Sequence, residues 1–166
     1  MELKRASVND AETIWRMQKE AFAELLDKYR DYDTSPANEA EEKVKSRLLQ
    51  PYTYFYYIVE DNNTVGAVRV VEMKDGGRKR ISPIFIMKEF RNRGYAQQAI
   101  AEVENIHGRG GWELETILQE KGNCYLYEKM GYRKTGRTEV INERMTIVYY
   151  EKAESLRGLV LPQSRI

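Results

Sequence analysis

The sequence predicts one α+β domain built on a mixed central sheet of about seven strands, flanked by about four helices. Three observations predict it. The chain has 166 residues, and a domain typically runs to ~100–150. The elements read in the order strand, two helices, three strands, helix, strand, helix, two strands. Runs of consecutive strands exclude a uniformly alternating doubly wound fold. The strand–helix–strand stretch around residues 81 to 117 predicts one parallel crossover.

Each element has its own signal. "ELKRA" (2–6) reads as a short first strand. Asn9 with Glu12 three residues on resembles a capped helix start. Ile14, Met17, Ala21 and Leu25 then repeat at helical spacing, and Trp15, Phe22 and Leu26 widen the stripe. "DKYRDYDTSPAN" (27–38) is rich in turn formers and reads as a loop. A second helix covers Glu39 to Leu49 and stops before Pro51. "YTYFYYIVE" (52–60) is aromatic and β-branched, hence a strand. "DNN" turns it into "TVGAVRVVEM" (64–73), completing a hairpin. "RKRISPIFIM" (78–87) is a third strand, and its Pro83 predicts an edge or a bulge. "YAQQAIAEVENIH" (95–107) is the clearest helix, with Ala96, Ala99, Ile100, Val103 and Ile106 on one face. "WELETIL" (112–118) is a strand. "NCYLYEKMG" (123–131) is a short helix with Asn123 as cap and Gly131 as stop. "YRKTGRTEVINERMTIVYYEK" (132–152) closes the domain as a hairpin, and 153–166 is a weakly patterned tail.

Composition narrows the function. The 27 basic and 26 acidic residues nearly cancel. The whole-chain field therefore gives no general reason to expect nucleic acid or an anionic membrane as partner. Cys124 is the one cysteine, which excludes an intramolecular disulfide and a cysteine metal cluster. No metal is expected. No apolar run approaches the ~20 residues of a spanning helix, and the first residues carry no apolar leader core. The expectation is a soluble, cytoplasmic domain.

"EFRNRGYAQQAI" (89–100) carries the chemistry. A strand runs into a turn with Arg91, Arg93 and Gly94, and a helix follows at once. A helix N-terminus leaves backbone N–H groups unpaired and carries partial positive charge, which together favour an anion. Gly94 permits close backbone approach, and arginine suits phosphate oxygens. A phosphate or pyrophosphate cradle follows, against the competing reading of a solvated surface turn. The turn is neither a Walker loop nor a G-x-G-x-x-G fingerprint.

"RNRGYA" (91–96) matches the R/Q-x-x-G-x-G/A signature of the GNAT superfamily of acyl-CoA-dependent N-acyltransferases, and "LYEKMGY" (126–132) looks like that family's "lYeklGF" segment. The resemblance spans roughly residues 1 to 152, strongest from 81 to 132. It implies a sheet splayed at a site for acetyl-CoA. Arg91, Asn92, Arg93, Gly94, Tyr95 and Ala96 would hold the pyrophosphate, largely through backbone amides. Ile84, Phe85 and Ile86 would hold the pantetheine arm by main-chain bonds, on a strand that bulges in the family. Tyr127 matches the family tyrosine near the sulfur, and at a reference pKa of ~10 it keeps a proton to donate. Glu115, in "LET", matches a glutamate of members that acetylate protein N-termini, so it is the candidate base. A solvated strand glutamate is the competing reading, and Glu60, Glu72 or a water chain are other routes for the proton. The chain also departs from the pattern. Glu120 stands where an asparagine is frequent, and Met87 and Lys88 stand where a proline is frequent. Asn123 either reaches the pantetheine arm or only caps its helix. His107 reads as a helix C-terminal charge partner, and Cys124 as a packing residue.

Acceptor choice is expected in the first two helices and their loop. Tyr29, Asp31 and Tyr32 are the candidate contacts, since carboxylates and aromatic faces suit a cationic amine; a solvated loop is the competing reading. The expected activity is direct transfer from acetyl-CoA to a primary amine in a ternary complex. The alternatives are acetylation of a protein N-terminus, as in ribosomal-type enzymes, and a silent coenzyme A-binding module. A homodimer through the closing strand at 145–150 is a further expectation.

Overall fold

The computed structural model describes residues 1–153. The expected tail lies, from residue 154 on, outside the described residues. Seven strands form one sheet in the order β1-β2-β3-β4-β5-β7-β6. They are β1 (Glu2–Arg5), β2 (Thr53–Glu60), β3 (Asn63–Val71), β4 (Lys79–Ile86), β5 (Trp112–Ile117), β6 (Arg133–Asn142) and β7 (Met145–Lys152). The helices are α1 (Ala11–Tyr29), α2 (Glu41–Leu49), α3 (Tyr95–His107) and α4 (Lys121–Lys129). Every pairing is antiparallel except β4 with β5, where the α3 crossover makes a parallel pair.

Period-two alternation sorts side chains to two cores. Tyr56, Ile58, Val68 and Val70 face α3 and α4, with Ala99, Ile100, Val103 and Trp112. Phe55, Ala67 and Phe85 face α1 and α2, with Ile14, Ala21 and Val44. Full burial of one such side chain contributes about 1.5–3 kcal/mol. Ile81 and Phe85 are four apart and lie in opposite cores, which an unbroken strand forbids. Opposite β4, Val68 pairs with Ile84 and Val70 with Ile81. One extra residue therefore sits in β4, a bulge at Ser82–Pro83 that flips the parity. Pro83 is thus a bulge residue inside a central strand. The Arg69 guanidinium donates to the Ser82 carbonyl at 2.7 Å and occupies an acceptor that the ladder leaves free.

Several boundaries differ from expectation for local reasons. The reciprocal cap is Ser7 with Asp10, not Asn9 with Glu12: the Ser7 amide donates to Asp10 Oδ2 at 2.8 Å. Tyr57 holds the other Asp10 oxygen at 3.0 Å. Helix α1 runs on to Tyr29 and stops at Arg30, which is left-handed at φ 54°, so the loop begins three residues late. Glu39 is outside α2, its carboxylate engaged by Arg47 and Gln18. Helix α4 starts at Lys121, so Asn123 lies inside it and does not cap it. Strand β7 lies between β5 and β6. The edge strands are β1 and β6, and the dimer expected on 145–150 has no edge there.

Candidate active site

Strands β4 and β5 pair only through Lys79 with Trp112 and Arg80 with Glu113. Beyond those rows they separate, although β4 runs on to Ile86 and β5 to Ile117. A sheet opened at its centre leaves main-chain groups on the inner edge of β4 without a ladder partner. Two cavities occupy the opening, of about 480 Å³ and about 320 Å³. They share one wall, made by Phe22, Leu25, Ile84, Asn123 and Tyr127.

The larger cavity runs along β4 and the turn before α3. Ile84, Phe85 and Ile86 of β4 line it, with Arg91, Asn92, Gly94, Tyr95 and Ala96 of the turn. Phe85 offers its main chain alone, because its ring packs edge-on against Phe22 at 5.7 Å in the α1 core. Asn92 and Gly94 are left-handed, at φ 65° and 82°. Two such residues directly before α3 turn successive N–H groups to one side, a nest for an anion. Arg91 is mostly committed elsewhere: its guanidinium donates to the carbonyls of Ile86 and Ala21, both at 2.8 Å. It fastens the turn to β4 and to α1. Arg93 lies over the Phe90 ring at 5.7 Å and does not line the cavity. Gly66 was not singled out in the sequence. It pairs with Ile86, and a Cβ there would meet the Phe85 carbonyl oxygen at 2.1 Å. Close approach of β3 to β4 therefore demands glycine; a glycine inside a strand pattern was the available signal.

Tyr127 stands at the shared wall. It is buried, its ring against Tyr132 and Tyr150 at 6.3 and 6.2 Å. Burial, with a smaller contribution from Cys124, pushes its hydroxyl up to about 12. Asn123 lines both cavities, one helical turn before it. Cys124 is packed in the core beneath. Glu120, in the position where the family often has asparagine, lines the larger cavity. Burial pushes its carboxyl up, but bonds from Lys28 and Tyr29 outweigh this and hold it below the usual range.

The smaller cavity is walled by side chains from distant elements, including Ile81, Leu114, Ile117, Ile141 and Ile147. Glu115 lines it, with its carboxylate already held by Arg80. Of the other proposed bases, Glu60 binds the N-terminal ammonium and Glu72 binds His107 at 2.7 Å, both away from these cavities. Asp31 lines the smaller cavity; Tyr29 and Tyr32 line neither. Tyr29 is buried with its hydroxyl on Glu120, and Tyr32 is exposed. Among the described residues, no group of His, Cys, Asp and Glu is arranged to hold a metal ion, and no helix is long and apolar enough to cross a membrane.

The chain folds as a single α+β domain whose mixed sheet opens between β4 and β5, beside the turn that starts α3. The model of the acetyltransferase (GNAT) family matches residues 14–132, and the chain belongs to that family. A search of curated protein sequences gave no significant match. Solved structures agree on the fold. The ribosomal-protein-S18-alanine N-acetyltransferase of Escherichia coli superposes with a TM-score of 0.72 at 10% identity, over 93% of this chain and 94% of that one. The spermidine N-acetyltransferase of Vibrio cholerae, solved with CoA and spermine, gives 0.70 at 15%, over 90% and 92%. Arabidopsis thaliana NAA60 with a bisubstrate analogue gives 0.63 at 16%, over 90% and 95%.

Proposed function

We propose that the chain transfers the acetyl group of acetyl-CoA to a primary amine, by direct attack with both substrates bound. The carrying observation is the pair of cavities that meet at Tyr127. The residues of the larger one fit coenzyme A. The nest of Asn92 and Gly94 at the α3 start suits its pyrophosphate, and the free edge of β4 at Ile84–Ile86 suits the amides of its pantetheine arm. The smaller cavity admits the amine from the other side. Bringing both reactants to one wall replaces a bimolecular encounter by a positioned one.

The amine reaches the thioester as the neutral base. Its nitrogen forms a bond to the carbonyl carbon, the carbon–sulfur bond breaks, and the amine's surplus proton ends on the released thiolate. The main-chain edge of β4 that β5 leaves unpaired would supply N–H donors for the charge on the carbonyl oxygen. The Tyr127 role is narrower than that of a full acid. Its hydroxyl at about 12 faces a thiol with a reference value of ~8.5. The tyrosine therefore keeps its proton and donates a hydrogen bond to the departing sulfur. Glu115, engaged by Arg80, is better suited to positioning on the acceptor side than to taking the proton alone.

Titration calorimetry with acetyl-CoA tests this reading. The wild-type chain binds, and Gly94→Trp, which forces a bulky residue into a left-handed position at the nest, loses binding by at least about tenfold. Absence of wild-type binding would sink the acetyl-CoA assignment.

A further inference from the structure

Asp31 is 7% exposed and lines the smaller cavity. Its Oδ2 accepts the Thr34 hydroxyl at 3.0 Å. Its main-chain carbonyl accepts the amides of Thr34 and Ser35 at 3.0 and 2.9 Å, so the loop holds the residue in place. Among the described residues, no lysine, arginine or histidine pairs with this carboxylate, and its second oxygen has no hydrogen-bond partner. A carboxylate on a cavity wall with one hydroxyl as partner leaves an acceptor open to the cavity, and a cation is the partner that would complete it.

The rest of the lining restricts that cation. No lysine, arginine or histidine is part of the wall, so no cation there would pair with the carboxylate of a free amino acid. The middle of the cavity is aliphatic, with Leu25, Ile81, Ile117, Ile141 and Ile147. The two other carboxylates are unlike Asp31: Glu115 has Arg80 and Glu139 is exposed. The fitting occupant has one positive end, an apolar middle, and a second nitrogen that reaches the Tyr127 wall.

We propose that the acceptor is a small aliphatic diamine, held by one ammonium on Asp31 while its other nitrogen, neutral, meets the thioester. This rests on the reading of the smaller cavity as the acceptor side. The transfer step is unchanged: one nitrogen is acylated, the thiolate takes its proton, and the distal ammonium takes no part in bond making.

Calorimetric titration of the full chain with coenzyme A present tests it, using α,ω-diaminoalkanes and the uncharged α,ω-alkanediols of matching length. The diamine binds about ten- to hundredfold tighter than the diol, as expected for a hydrogen bond to a charged group. Asp31→Asn, which keeps an oxygen for Thr34, removes that ratio. Asp31→Glu restores it with a different optimum length. Equal wild-type affinity for the two series overturns the proposal, as does a ratio that survives Asp31→Asn. Should Asp31→Asn fail to fold, the wild-type comparison alone decides. Binding is read without turnover, so the two readings fail separately. Asp31-dependent diamine binding without acetylation supports this site and removes the transfer activity. Acetylation of monoamines or neutral peptides with no diamine preference keeps the activity and overturns the diamine.

Discussion

The two cavities are built differently. The larger one lies along the unpaired edge of β4 and the turn before α3, so main-chain groups are part of its wall. The smaller one takes its character from side chains on four strands, two helices and a loop that meet only in the fold. Backbone recognition constrains sequence through glycine, bulges and turn geometry, and these recur as short motifs. Side-chain recognition is free to vary, because any residue of suitable size and charge fills the wall. One face of the opening is therefore suited to a fixed ligand, the other to a chosen one.

The sharpest way to break the backbone-built side is Gly66→Val. The added carbons meet the Phe85 carbonyl and push β3 off the cofactor strand. The expected cost is roughly 3 kcal/mol or more in urea unfolding, with acetyl-CoA binding lost in whatever folds. Wild-type stability would show that the strands can part without harm. A smaller effect separates chemistry from binding at the shared wall. Tyr127→Phe lowers kcat about a hundredfold and leaves acetyl-CoA affinity nearly unchanged; an equal loss in both would make the residue a binding group.

The same tyrosine makes stability depend on pH. Below pH about 10 the folded and unfolded chains both hold its proton. Between about 10 and 12 the unfolded chain releases it while the folded chain keeps it. Stability therefore falls as pH rises through that window, by at most about 1.4 kcal/mol per unit for this group. Tyr57, Tyr132 and Tyr150 are raised by burial in the same direction. Denaturation midpoints across the window should fall less steeply for Tyr127→Phe than for wild type. The smallest effect is at the rim. Lys28→Met removes the bridge to Glu120, and with the lysine in solvent its loss should barely move the denaturation midpoint. Uncovering the carboxylate beside the anion nest should also weaken acetyl-CoA a few-fold, and more at low salt.

Legibility in the sequence follows the same division. The element order, the crossover and a break in regular pairing at Pro83, edge or bulge, were readable because periodicity and proline act locally. The turn at 91–96 was readable because left-handed backbone needs particular residues. The length of α1 was not, since its stop is a left-handed arginine where glycine is usual. Asp31 could be named as a candidate among acidic neighbours, but not told apart from Asp27 and Asp33, because its burial depends on packing from elsewhere. Tyr29 and Tyr32 flank it in sequence and point to other surroundings. Ile141 and Ile147 gave no sign at all, since β6 and β7 reach the cavity only through sheet order.

Arg91 has one more consequence. It binds the carbonyl of Ala21, and the next residue, Phe22, belongs to the wall between the two cavities. A ligand that settles the turn thereby settles the helix that borders its co-substrate. Such cooperation is reciprocal: the factor by which acetyl-CoA tightens amine binding equals the factor by which the amine tightens acetyl-CoA. Crossed titrations should return one number from both directions, and Arg91→Ala should bring that number towards one.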